Sequence, residues 1–132
     1  MTQDFEQTTR AEDTSVKIIL LVEDDESISE VFVQAISQET PYLPVLVRDA
    51  FEALKIIQSM KPHLFILDYQ LPRMNGIELY DKLHSITNLT HIPAIMVSAR
   101  LPYQELEKRN ILAMAKPIDL DDFLLAIDQL LA

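Results

Sequence analysis

Short apolar runs punctuate the chain, and the stretches between them carry a helical period. Five runs stand out, at residues 16–22, 43–47, 64–68, 94–98 and 111–116. Each has the length of a strand and consists mostly of β-branched residues or leucine. Because they do not alternate with polar residues, they suit strands buried on both faces, as in a parallel sheet covered by helices. Between the first two runs, Ile28, Val31, Phe32, Ala35 and Ile36 recur at i, i+3, i+4, i+7 and i+8, which predicts one helix face with Ser27 as its N-cap. Ala50, Ala53, Leu54 and Ile57 mark a second helix, Leu79, Tyr80, Leu83 and Ile86 a third, and Phe123, Leu124, Ile127, Leu130 and Leu131 the last. The fourth, over residues 102–109, is short and weakly patterned.

Strands alternating with helices predict an α/β fold, a doubly wound five-stranded parallel sheet with five helices, the fourth shortened. The flavodoxin-like order 2-1-3-4-5 is compatible with this pattern rather than dictated by it. Residues 1–15 are polar and are expected to form a flexible arm, with the domain over residues 16–132.

Composition narrows the classes of function. A chain of 132 residues accommodates one ordinary domain, so no separate output domain is expected. With no cysteine there can be no disulfide or thiolate site, and any metal must be bound through oxygen or imidazole. The formal net charge of −10 opposes nucleic acid and favours cations or basic protein patches as partners. No apolar run is long enough to span a bilayer, and the first residues lack the basic and apolar regions of a secretory signal, so a cytoplasmic protein that does not enter a membrane is expected. Gly76 is the only glycine, which excludes a glycine-rich nucleotide cradle. His63, His84 and His91 have no paired spacing and predict no zinc site.

In a doubly wound sheet ligands bind beyond the carboxyl ends of the strands, at the switch in strand order. Glu23, Asp24, Asp25 and Glu26 follow the first strand and Asp68 ends the third, so carboxylates converge there. Converging carboxylates repel and raise one another's pKa unless a cation intervenes, and hard Mg²⁺ accepts such oxygens. An equally weighted reading has Asp24, Asp25 and Glu26 only favouring the N-terminus of the first helix. Ser98 ends the fourth strand and Lys116 the fifth, a hydroxyl and an ammonium of the kind that hold phosphoryl oxygens. Taken singly, Ser98 would be a cap and Lys116 a surface charge. Their conjunction with Asp68, a possible carboxylate nucleophile, points to phosphoryl transfer.

These residues resemble the receiver domains of two-component response regulators over roughly residues 16–131. The run from Ile18 to Glu26 is similar to that family's first strand and acidic pair, with the pair on Glu23 and Asp24 and Asp25 just outside it. Leu67-Asp-Tyr-Gln-Leu-Pro-Arg-Met-Asn-Gly76 resembles its phosphorylation loop, Val97-Ser-Ala99 its switch hydroxyl, and Lys116-Pro117 its lysine followed by a cis proline. The resemblance implies a stand-alone receiver in which Asp68 is the phosphoacceptor. Glu23, Asp24, Asp68 and the Gln70 backbone carbonyl would then hold Mg²⁺ or Mn²⁺, with Ser98 and Lys116 binding the phosphoryl group. It also implies a sensor histidine kinase or phosphotransfer protein as donor, slow autodephosphorylation instead of turnover of an external substrate, and compatibility with a homodimer.

Two features depart from the family. The segment from Ser98 to Lys116 is about one helical turn short, and Ala113 stands where an aromatic readout residue is usual. Arg100 is expected to face solvent, as is Arg73. An aspartate-nucleophile phosphohydrolase is a rival reading, but Gln70 occupies the position where such enzymes carry a second, protonating aspartate. A phosphorylation-independent adaptor is another, opposed by the intact acidic pair and lysine.

Overall fold

A computed structural model describes residues 16–132; the expected arm, residues 1–15, lies outside them. The elements alternate as β1 (Ile18–Val22), α1 (Glu26–Glu39), β2 (Leu43–Val47), α2 (Ala50–Ile56), β3 (Leu64–Asp68), α3 (Gly76–His84), β4 (Ala94–Ser98), α4 (Tyr103–Lys108), β5 (Leu112–Ala115) and α5 (Leu120–Leu131). The five strands form one parallel sheet, as the alternation predicts, and their order is the flavodoxin-like one, β2-β1-β3-β4-β5, which the alternation alone did not fix. The first and last strands are shorter than the apolar runs that announced them.

Each central strand divides its side chains between two cores, because successive residues point to opposite faces. Leu20, Val22, Phe65, Leu67 and Met96 join Ala50, Ala53, Leu79, Leu83 and Leu106 beneath α2, α3 and α4. Ile19, Leu21, Leu64, Ile66, Ile95 and Val97 join Phe32, Ile36, Phe123, Ile127 and Leu131 beneath α1 and α5. The Phe32 and Phe123 rings stack at 4.5 Å and tie α1 to α5. Continuous apolar runs are therefore what strands covered on both sides require. The edge strands β2 and β5 are less buried, and Pro44 fits an edge where one N–H can be spared.

The helix starts follow short polar side chains, with one correction. Asp25, not Ser27, caps α1: its carboxylate accepts from the Ile28 N–H at 2.9 Å, and Ser27 falls inside the first turn. Asp49 and Asp119 cap α2 and α5, and Asn75 forms a capping box with Glu78 at the start of α3. The shortened α4 has no side-chain cap and stops where Asn110 takes φ 60°. Arg109 compensates for its brevity. Its guanidinium forks onto Asp81 of α3 at 2.8 and 2.9 Å and reaches Glu105 of α4 at 2.9 Å. The hydrogen bonds from Arg109 hold Asp81 below the usual carboxylate range.

At the opposite end of the sheet from the strand carboxyl ends, His63 acts as a backbone partner. The Ile18 N–H donates to His63 Nδ1 at 3.0 Å, while the His63 N–H donates to the Ile18 carbonyl at 2.8 Å. The imidazole proton therefore sits on Nε2. Burial first, then the Lys17 and Lys61 charges, lower the His63 pKa. The unfolded chain consequently binds a proton that the folded chain resists, so this contribution is complete above about pH 6.5 and is lost as pH falls below it. His63→Asn keeps an acceptor for Ile18 and removes the titration. Between pH 7.5 and 5.5 the wild type is expected to lose more of its urea midpoint than this variant; equal losses would remove His63 from the acid sensitivity of the fold.

Candidate phosphoacceptor site

The order β2-β1-β3 reverses the chain's direction of travel between β1 and β3, and the carboxyl ends of those strands face an open crevice. Glu23 follows β1 directly and is tied down by its N–H to the Val47 carbonyl at 3.1 Å. Its side chain is fully buried and accepts from the Asp25 N–H at 3.1 Å. Asp68 ends β3 with 4% exposure, and Asp24 is exposed at the mouth. One carboxylate oxygen from each of these three residues lies within 4.8 Å of the others.

Lys116, just past β5, reaches into this cluster. Its Nζ lies 3.2 Å from both Glu23 Oε1 and Asp68 Oδ2. Its backbone N–H donates to the Ser98 carbonyl at 2.9 Å, which fixes the base of the side chain against β4. The following Lys116–Pro117 peptide is cis. Burial alone would lower the Lys116 pKa, and the Asp68 and Glu23 carboxylates outweigh it, leaving the ammonium above its ordinary value. Burial, followed by the hydrogen bond and charge of Asp68, pushes Glu23 up to about 7. One ammonium thus leaves negative charge uncompensated among three carboxylates, and an all-oxygen cluster of this kind fits a hard divalent cation.

The loop after β3 completes the crevice. The Gln70 N–H donates to Asp68 Oδ1 at 2.9 Å, so both carboxylate oxygens of Asp68 have partners. Ser98 is fully buried at the end of β4; its hydroxyl donates to Gln70 Oε1 at 3.2 Å and accepts from the Arg100 N–H at 3.4 Å. Glu23, Asp24, Asp68, Gln70, Ser98 and Lys116 therefore share one crevice. Arg100 is exposed, as anticipated. Arg73 is more engaged than its sequence context indicated, since it lies over the Phe51 ring at 4.9 Å and within 3.6 Å of Asp49 while holding φ 69°. A cation three residues before α3 and a lone exposed phenylalanine gave no sequence signal that they would meet. Ala113 lines an open hollow of about 320 Å³ together with Tyr103, Leu106 and Ile111.

Gly76 lets this loop close. Its N–H donates to the Tyr69 carbonyl at 2.9 Å, and a Cβ there would lie 2.5 Å from Met96 Sδ and 2.6 Å from the Asp68 carbonyl oxygen. The sulfur can move aside, but the backbone of Asp68 cannot move without shifting its carboxylate. Gly76→Ala is expected to destabilise the fold by about 1–3 kcal/mol, the usual range for overpacking, measured by urea unfolding. A neutral result would mean that α3 tolerates displacement.

Comparison with known proteins agrees with this geometry. The sequence model of the response regulator receiver domain matches residues 19–128, and the chain belongs to that family. It is 34% identical over 83 residues to the polar-differentiation response regulator DivK of Brucella anthropi, a match covering 63% of this chain and 67% of that protein. It is 36% identical over 88 residues to a protein-glutamate methylesterase/protein-glutamine glutaminase of Pyrococcus abyssi, covering 65% of this chain but only 23% of that protein. The crystal structure of a CheY-like receiver domain protein from Methanospirillum hungatei superposes with a TM-score of 0.79 at 28% identity, covering 88% of this chain and 94% of that one. The chain is thus a receiver domain of two-component signalling. Among the described residues no helix is long and apolar enough to cross a membrane.

Proposed function

We propose that Asp68 accepts a phosphoryl group from a phosphohistidine on a sensor kinase or phosphotransfer protein, in a reaction dependent on Mg²⁺ or Mn²⁺. The observation that carries this reading is the position of the Asp68 carboxylate, held between the Gln70 N–H and the Lys116 ammonium beside Glu23 and Asp24. An Asp68 oxygen attacks phosphorus as the phosphorus–nitrogen bond breaks, giving an acyl phosphate and releasing the donor imidazole, which regains its proton from solvent. A divalent cation held by Glu23, Asp24, Asp68 and the Gln70 backbone carbonyl would neutralise phosphoryl oxygens during that transfer. Lys116 supplies the fixed positive charge, and Ser98 a neutral donor from the neighbouring strand end. Water later cleaves the acyl phosphate, and no external substrate is turned over.

A groove beside the site supports a helical phosphodonor. Ser27, Ile28, Val31, Phe32, Ile118 and Leu120 line an apolar cleft of about 620 Å³ between α1 and the start of α5, and it opens next to Lys116. Val31 belongs to the apolar stripe of α1 yet is 46% exposed, which a partner's apolar face would cover. Exposed acids adjoin the lining residues in sequence, Asp24 and Glu26 before Ser27 and Asp121 and Asp122 after Leu120. The donor helix accordingly carries an apolar stripe flanked by lysine or arginine.

Incubation with Mg²⁺ and acetyl phosphate is expected to add one phosphoryl group to the intact mass, and Asp68→Asn to prevent it. A wild type that gains no mass would contradict the reading. Asp24→Ala is expected to weaken Mg²⁺ binding by at least about tenfold in titration calorimetry, since each coordinating carboxylate contributes charge as well as a ligand. Unchanged affinity would move the cation elsewhere.

A further inference from the structure

Ser98 carries a single hydroxyl proton, and in this structure that proton goes to Gln70 Oε1 at 3.2 Å. The hydroxyl oxygen in turn accepts from the Arg100 N–H, and the Ser98 carbonyl is engaged by the Lys116 N–H, so the residue's backbone is fixed and only its hydroxyl can redirect. Gln70 is exposed and therefore free to release, whereas Ser98 is fully buried. The same Gln70 contacts the acceptor itself, through its N–H on Asp68 Oδ1. One residue thus touches both the carboxylate to be modified and the hydroxyl that must respond.

We infer that the Gln70 side-chain amide is a latch that holds the Ser98 hydroxyl away from Asp68 until a phosphoryl group arrives. The inference rests on the reading of Asp68 as phosphoacceptor. A phosphoryl oxygen on Asp68 and Gln70 Oε1 compete for one proton, and the phosphoryl oxygen is charged, so it makes the stronger hydrogen bond. The exchange still requires the Gln70 bond to break. Gln70 is therefore a positioning residue that opposes the phosphorylated arrangement, and its removal should favour that arrangement. A merely structural role predicts the reverse, because loosening the loop would impair the site.

The test is a double-mutant cycle of wild type, Gln70→Leu, Ser98→Ala and the double variant, with beryllium fluoride and Mg²⁺ as the phosphoryl probe. Leucine keeps the bulk of glutamine and removes its acceptor. Gln70→Leu is expected to raise the affinity for beryllium fluoride about fivefold, the equivalent of one net hydrogen bond, and to change it less than about twofold when Ser98 is alanine. An equal effect in both backgrounds, or a loss of affinity in Gln70→Leu, would overturn the latch. Urea unfolding without the probe gives an independent readout: the two single substitutions should together shift the midpoint by less than their sum, and strict additivity would show that the hydrogen bond is not formed. If the midpoints are non-additive but the wild type binds no beryllium fluoride, the bond stands and the reading of Asp68 falls, taking the latch's role with it.

Discussion

The site depends on one ammonium placed between two buried carboxylates. Glu23 and Asp68 come from different strands, and each would be costly to bury as an anion on its own. Lys116 stands 3.2 Å from both. It makes their approach tolerable without neutralising the cluster, because Asp24 adds a third carboxylate. That residual negative charge, on an all-oxygen donor set, suits a hard divalent cation. A pair fully matched in charge would have stabilised the crevice and left nothing for it to do.

The fold supplies this arrangement by ending parallel strands at one edge. Because the sheet order reverses between β1 and β3, no helix covers the crevice where Glu23 and Asp68 meet. β4 and β5 bring Ser98 and Lys116 to the same edge, and the Lys116 N–H to the Ser98 carbonyl locks those two ends together. Gly76 allows α3 to start against the end of β3, so the loop that carries Gln70 folds back over Asp68. The apolar cores contribute the rigidity. Each central strand is packed on both faces, so the strand ends have little freedom to separate.

Much of this was legible in the sequence, for identifiable reasons. Unbroken apolar runs specified strands buried on two sides, and in four of the five the polar residue at or just past the run's end pointed to the crevice. Asp68, Ser98 and Lys116 could be found because they interrupt apolar pattern at strand ends. Ser27 misled because serine is a good cap, but aspartate is an equally good one, and Asp25 lies in the acidic run whose equally weighted reading placed it at that helix's N-terminus. The Arg109 fork onto Asp81 and the stacking of Arg73 on Phe51 were invisible for a different reason. They join residues far apart in the chain, and periodicity reports only which face a residue occupies, not which partner it meets. The hydrogen bond between Ser98 and Gln70 belongs to the same class.

On the side where α4 packs against β5, Ala113 lines an open hollow, and the short α4 is held by buried Leu106 and by the Arg109 ion pairs. A response to the proposed phosphorylation on that side would involve no bulky side chain at position 113. All of this presupposes that Asp68 is the modified residue. The most direct test is chemical: treat the protein with acetyl phosphate and Mg²⁺, reduce the acyl phosphate with borohydride, and locate the product by peptide mass spectrometry. Homoserine at position 68 alone is the predicted result. Homoserine at Asp24 or elsewhere, with Asp68 unchanged, would contradict the account.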